Sequence, residues 1–346
     1  MKRSLTIAPE AALWQPAKDG AVRCSLCHHR CLIDEGERGE CCVRENRNGV
    51  LVTLTYGRLV SANIDPIEKK PLFHVHPGST SLSVAAAGCN FRCAFCQNHT
   101  IAQWPRAHPG EDLPGSASDP VDVAEAAARR GCASISYTYT EPTVMWEWVR
   151  DTAVAAHERG LANCLVTNGY MTSEALDFMG DAVDAANVDL KGWDPQRLVL
   201  ATGARPGPVK RSIRAMRERS IWVEVTTLIV PGWNDSEADV RAIAEFLADV
   251  DPDLPWHVSR FHPDHEMLDR EPTPPVTLRN ACAWGREAGL RYVYAGNLWG
   301  DDNESTRCPS CGEIVIERRG FHLGRIAMEG GRCGHCDAPI AGIGMP

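Results

Sequence analysis

No apolar run in the 346 residues approaches the roughly 18 that a membrane-spanning helix requires. Residues 1–7 lack the apolar stretch of a secretory signal, so the expected location is the cytoplasm, a reducing compartment. An excess of positive charge is also missing. The 36 basic and 45 acidic residues give a formal net charge of -9, which argues against a general polyanion binder, nucleic acid included. Neither an internal repeat nor a low-complexity tract is present. Disorder of the whole chain is excluded by a 44% hydrophobic content that includes 10 Trp. The length suits about two domains, or one α/β barrel of about 250 residues.

Cysteine, by contrast, is abundant, 15 in all. Clustered cysteines in a reducing compartment read as metal ligands or catalytic groups rather than disulfides. Cys24, Cys27, Cys31, Cys41 and Cys42 lie near the N-terminus, Cys89, Cys93 and Cys96 open the central region, and Cys308, Cys311, Cys333 and Cys336 lie near the C-terminus. Cys132, Cys164 and Cys282 stand alone among apolar residues and read as buried small hydrophobes.

Between the outer clusters, strand-like and helix-like patterns alternate. Strands are expected over 81–87, 133–137, 161–167, 185–190, 221–230, 256–261 and 291–294. Helices are expected over 121–130, along the face Met145, Val149, Ala153 and Ala156, and over 173–181, 209–219, 243–250 and 278–287. Asp119-Pro120 supplies a cap and a proline for the first of these, and residues 104–120, rich in Pro and Gly, read as an exposed loop. The alternation implies a parallel sheet with right-handed crossovers, either open and doubly wound or a full or partial barrel. Polar residues collect at the strand ends, at 138–141, 167–168, 189–191 and 260–262, where ligands bind in both architectures.

Cys89, Cys93 and Cys96 have the spacing C-x3-C-x2-C directly after a strand and Gly88. Three thiolates on one loop can hold three corners of a [4Fe-4S] cubane and leave the fourth iron open to a substrate amine and carboxylate. A zinc knuckle completed by His99 is the alternative. Cys308-Pro309-Ser310-Cys311 and Cys333-Gly334-His335-Cys336 form two C-x2-C pairs, a set for tetrahedral coordination that favours structural zinc, although such a set also suits iron. Cys24, Cys27, Cys31 and Cys41 leave zinc and an auxiliary cluster both open, and His28 or His29 could replace one sulfur.

The string Gly88-Cys89-Asn90-Phe91-Arg92-Cys93, followed by Phe95-Cys96-Gln97-Asn98, resembles the signature of the radical S-adenosylmethionine (SAM) superfamily, in the branch of the pyruvate formate-lyase activating enzymes. The segments Asp65-Pro66-Ile67-Glu68-Lys69-Lys70-Pro71-Leu72, Tyr137-Thr138-Tyr139-Thr140-Glu141-Pro142 and Trp256-His257-Val258-Ser259-Arg260-Phe261-His262-Pro263 are similar to the radical SAM enzyme of the AmmeMemoRadiSam system. The resemblance implies an α/β fold, a partial (β/α)6 TIM-like barrel, with Cys-rich metal-binding extensions at both ends. The corresponding segments are 1–50 as an N-terminal metal-binding segment, 51–300 as the core and 301–346 as a zinc-ribbon-like end. It also implies reductive cleavage of SAM to a 5′-deoxyadenosyl radical that abstracts hydrogen from a protein or small-molecule substrate.

Site residues follow from the same resemblance. Glu141 falls where the branch binds the SAM amino group, though an acid there also suits the start of a helix. Phe95 is placed near the adenine, or is a core aromatic. Thr167 and Asn168 match the family's Thr-Asn-Gly turn, which is also an ordinary tight turn. Val166 stands where activating enzymes carry an Asp that helps to bind a cation. Asp189 and Lys191 are implied as SAM ligands or as a salt bridge, His262 as a residue approaching SAM, and Arg260 as a contact to substrate or a SAM carboxylate. An electron donor such as flavodoxin or ferredoxin is implied, with a protein substrate or the AmmeMemoRadiSam partners beside it. The competing reading is a metal-ribbon scaffold that binds nucleic acid or a protein through the basic stretch 210–219.

Overall fold

The computed structural model describes residues 8–298 and 300–346, and the signal reading of residues 1–7 lies outside them. The chain divides into two compact units, one formed by the residues up to 64 with 81–184, the other by 65–80 with 185–346.

In the first unit, β2 (Ser134–Tyr137) pairs in parallel with β1 (Thr80–Ala85) on one side and with β3 (Ala162–Thr167) on the other. All four residues of β2 are buried, as expected of a strand covered on both faces. Helices α1 (Pro120–Arg129) and α2 (Trp146–His157) make the crossovers. Asp119 caps α1 through the Val121 amide, and Pro120 fills a position whose N–H would lack a helical partner. Met145, Val149, Ala153 and Ala156 are all buried, as their spacing predicts. Upstream, Trp14–Pro16, Val22–Cys24 and Leu32–Ile33 form a small antiparallel sheet. Arg44–Arg47 and Val50–Thr53 form a hairpin whose two-residue turn, Asn48-Gly49, is left-handed at both positions (φ +53° and +78°).

In the second unit, β4 (Ala185–Asp189), β5 (Trp222–Ile229), β6 (Trp256–Arg260) and β7 (Val293–Gly296) run parallel in that order. Helices Pro195–Thr202, Pro206–Glu218, Glu237–Val250 and Pro275–Glu287 connect them. The tail folds as the antiparallel strands Thr306–Arg307, Ile314–Arg319 and His322–Ile326, followed by the pair Met328–Glu329 and Arg332–Cys333. Val75 pairs with Ile343, which brings the 65–80 segment and the chain's end together.

All seven expected strands are present. Residues 104–120 differ from the exposed loop expected of them. Trp104–Ala107 forms a helical turn, Ser116–Ala117 pairs with Arg58–Leu59, and Leu113 is buried with Val43 and Val144. The apolar residues scattered through this Pro- and Gly-rich stretch supply the anchoring. No helix among the described residues is long and apolar enough to cross a membrane.

Candidate active site

The central cysteine loop leaves β1 through Gly88, whose φ is +111°. A Cβ at this position would stand 2.8 Å from Val43 Cγ1 and 3.6 Å from the Cys41 carbonyl oxygen. Only glycine meets both the backbone and the space requirement. The Cys96 amide donates to the Cys93 carbonyl (3.1 Å) and the His99 amide to that of Cys96 (3.2 Å), which coils the loop. The Phe91 amide (3.3 Å) and Asn168 Nδ2 (3.8 Å) point at Cys89 Sγ. Burial, then the Glu141 charge and Cys93, push the Cys89 thiol well above its ordinary range. A thiolate there needs cationic metal beside it, and the two N–H groups suit that state, so the loop fits an iron–sulfur ligand set. Phe95 is buried on the same loop. His99 Nδ1 lies 3.1 Å from the Cys96 carbonyl oxygen.

Glu141 is 1% exposed and is the hub of this unit. Its Oε1 accepts from the Thr143 amide (3.0 Å), from the Thr143 hydroxyl in a short contact, and from Thr167 Oγ1 (2.7 Å). Its Oε2 accepts from the Asn168 amide (2.8 Å). The helix-starting role is therefore realised, and the carboxylate also ties the end of β2 to the turn after β3. Asn168 passes this order on, because its Nδ2 also donates to Asn90 Oδ1 (2.7 Å), next to Cys89. Burial raises the Glu141 carboxyl, while the donors on Thr143, Asn168 and Thr167 hold it down. Tyr139, two residues before Glu141, has φ +63°, a conformation rare for an aromatic residue and found where a site fixes the backbone.

The remaining expected SAM ligands belong to the second unit. Lys191 Nζ lies 3.0 Å from Asp189 Oδ2, so the salt bridge named as one alternative is formed. His262 is exposed, and Arg260 Nε donates to the Thr273 carbonyl (2.8 Å).

Sequence reasoning missed a buried polar network in the second unit. Glu224, fully buried on β5, accepts from the Phe73 (3.0 Å) and His74 (2.8 Å) amides and faces His257 Nε2 at 2.6 Å. His74 Nε2 meets Tyr294 Oη (2.6 Å), which meets Thr306 Oγ1 (2.9 Å). Arg318 donates to that Thr306 hydroxyl and to the Phe73 carbonyl (2.8 Å). A carboxylate inside the apolar run 221–230 was the available signal, since a buried charge demands partners. The acidic-basic string at 65–72 finds its partners in the same unit. Asp65 pairs with Lys69 (2.8 Å) and Lys70 (2.6 Å), and Glu68 accepts from the Gly78 amide (2.9 Å).

The two outer cysteine sets differ in spacing. Cys308 and Cys336 sulfurs lie 3.6 Å apart, those of Cys311 and Cys333 3.7 Å, and all four fall within 4.8 Å of one another. Cys24, Cys27, Cys31 and Cys41 instead line one pocket, and Cys42 and the two histidines are not on its wall. His29 Nε2 is 2.8 Å from the Asn90 carbonyl oxygen. Cys132, Cys164 and Cys282 are buried.

Residues 84–247 match the family model "Radical SAM superfamily". The chain is 44% identical to the uncharacterized protein MJ0808 of Methanocaldococcus jannaschii, over 96% of this chain and 98% of that one. It is 22% identical to the pyruvate formate-lyase 1-activating enzyme of Escherichia coli (strain K12), over 47% of this chain and 66% of that enzyme. The solved structure of a radical SAM methyltransferase from Sphaerobacter thermophilus superposes with a TM-score of 0.50 at 16% identity, covering 64% of this chain and 67% of that one, a likeness of fold. With the C-x3-C-x2-C loop at the end of β1 and parallel strands alternating with helices, these matches place the chain in the radical SAM superfamily, to which it belongs.

Proposed function

We propose that the chain cleaves SAM reductively and passes the resulting 5′-deoxyadenosyl radical's reactivity to a C–H bond of a protein or small-molecule substrate, in the manner of the glycyl-radical activating enzymes it is similar to. The observation that carries this reading is the cysteine loop bound to the Glu141–Asn168 knot. Cys89, Cys93 and Cys96 would hold a [4Fe-4S] cluster with one open iron, and when bound the cluster supplies the electron for SAM cleavage. Asn168 and the Phe91 amide steady the Cys89 sulfur. Glu141 Oε2 accepts one hydrogen bond among the described residues, which leaves acceptor capacity for the SAM ammonium. Thr167 and Asn168 orient that carboxylate, Phe95 serves the adenine, and Asp189, Lys191 and His262 serve the rest of SAM. The tightly convergent C-terminal tetrad suits a single structural zinc ion. An electron donor of the flavodoxin or ferredoxin class, the AmmeMemoRadiSam partners and a cytoplasmic location complete the proposal.

The test is anaerobic reconstitution with iron and sulfide, followed by dithionite and SAM. Methionine and 5′-deoxyadenosine are expected from the unaltered protein, and none from Cys93→Ala. An intact cluster that leaves SAM uncleaved refutes the reading.

A further inference from the structure

We infer that Cys24, Cys27, Cys31 and Cys41 hold a second [4Fe-4S] cluster rather than a single metal ion. A zinc ion binds sulfur at about 2.3 Å, so four thiolates around it sit roughly 3.8 Å apart. The C-terminal tetrad has this spacing, and it is the one cysteine set among the described residues whose sulfurs all converge within 4.8 Å. The N-terminal four lack such convergence, although they line one pocket. In a cubane each thiolate binds a different iron, so the sulfurs stand wider apart and a body of inorganic atoms fills the space between them.

The pocket wall has the chemistry of a cluster site. Leu26, Ile33 and Val144 make it largely apolar. Arg44, 1% exposed, brings a guanidinium to it. Its Nη1 lies 3.7 Å from Cys24 Sγ, and its Nε is buried without a hydrogen-bond partner. Four thiolates carry the same net negative charge around an oxidised cubane as around a zinc ion, and Arg44, itself paired with Glu147, sets a guanidinium beside that charge in either case. The Glu40 amide donates to Cys31 Sγ (3.4 Å), an N–H···S bond of the kind that tunes cluster potential. Asn90, which neighbours Cys89, also lines the pocket, and its Nδ2 is buried without a partner. The wall of the second centre is thus built in part by the loop of the first.

The experiment uses the full chain with Cys89, Cys93 and Cys96 all replaced by Ala, which removes the first cluster and leaves the N-terminal set alone. After anaerobic reconstitution, iron, acid-labile sulfide and zinc are counted and Mössbauer spectra recorded. The expected result is about four iron and four sulfide per chain, lost when Cys27→Ala is added. About two iron, zinc in place of iron, or no metal overturns the inference. The unaltered chain gives an independent count that does not depend on how the triple variant folds. About eight iron per chain supports the second cluster, and about four iron with two zinc overturns it. Because the triple variant cannot cleave SAM, its metal count stands apart from the outcome of the SAM-cleavage test.

Discussion

Replacing Glu141 by Gln tests the idea that one buried carboxylate organises the cysteine loop. The carboxylate accepts four hydrogen bonds, three at Oε1 and one at Oε2. The best orientation of the amide keeps its oxygen at the Oε1 position, where three donors converge. The NH2 group then faces the Asn168 amide, donor against donor. One buried N–H without an acceptor costs about 1–3 kcal/mol, and the three remaining bonds lose their charge assistance. The expected destabilisation is therefore about 2–4 kcal/mol, a large part of the roughly 5–15 kcal/mol that holds an ordinary domain together. The Asn168 turn should shift with it and withdraw Nδ2 from Cys89. Urea unfolding under argon measures the first effect, and the EPR line shape of the reconstituted cluster reports the second. Thr167→Val removes one of the same bonds for about 1 kcal/mol, and its effect should shrink in the Glu141→Gln background. If Glu141→Gln unfolds within about 0.5 kcal/mol of the unaltered protein and the two substitutions simply add, the hub reasoning is wrong.

Three further outcomes follow from the structure. Gly88→Ala places a methyl 2.8 Å from Val43 Cγ1 at φ +111° and should lower stability by about 1–3 kcal/mol, partly restored by Val43→Ala, as read in thermal melts. His74, which burial pushes down to about 4 against the pull of Glu224, is neutral in the fold and titrates near 6.5 when unfolded. The unfolded chain thus binds a proton that the native one does not, so stability should fall by up to ~3 kcal/mol as pH drops from about 6.5 towards 4. His74→Gln should flatten that stretch of the urea midpoint against pH, and a retained slope would assign it elsewhere. Cys311→Ser should cost the zinc proposed for the tetrad, about one per chain by elemental analysis, and open the tail to limited proteolysis, because binding a structural metal and folding around it are coupled.

Much of the fold could be read from the chain because its signals are local. The β-branched run 221–230 appears as Trp222–Ile229, and Asp119-Pro120 starts a helix where capping chemistry says it should. The triplet spacing and the Thr167-Asn168 turn were legible for the same reason. The Glu141 knot was only half legible. Its capping role is encoded within three residues, but its bond to the Asn168 amide joins positions 27 apart. The Glu224–His74–Arg318 network lay further out of reach, since its members meet only after the tail has folded back onto 65–80. The helix Pro195–Thr202 escaped notice because its apolar residues, Leu198 to Ala201, run consecutively rather than at helical spacing, and Leu200 faces outward.

Arg318 bears on how this protein can be handled. Its guanidinium, seated over the Phe73 ring at 4.3 Å, supplies a donor to the Phe73 carbonyl from a strand that begins beyond residue 313. Trimming the chain after residue 300 to obtain a minimal catalytic piece would take away that donor along with the Thr306 hydroxyl and the Ile343 backbone. The cut would uncover Tyr292 and Tyr294, which pack with Val315 and Ile316 in one cluster. Such a shortened form should precipitate rather than report on catalysis, so activity lost by truncation says nothing about whether the tail touches substrate.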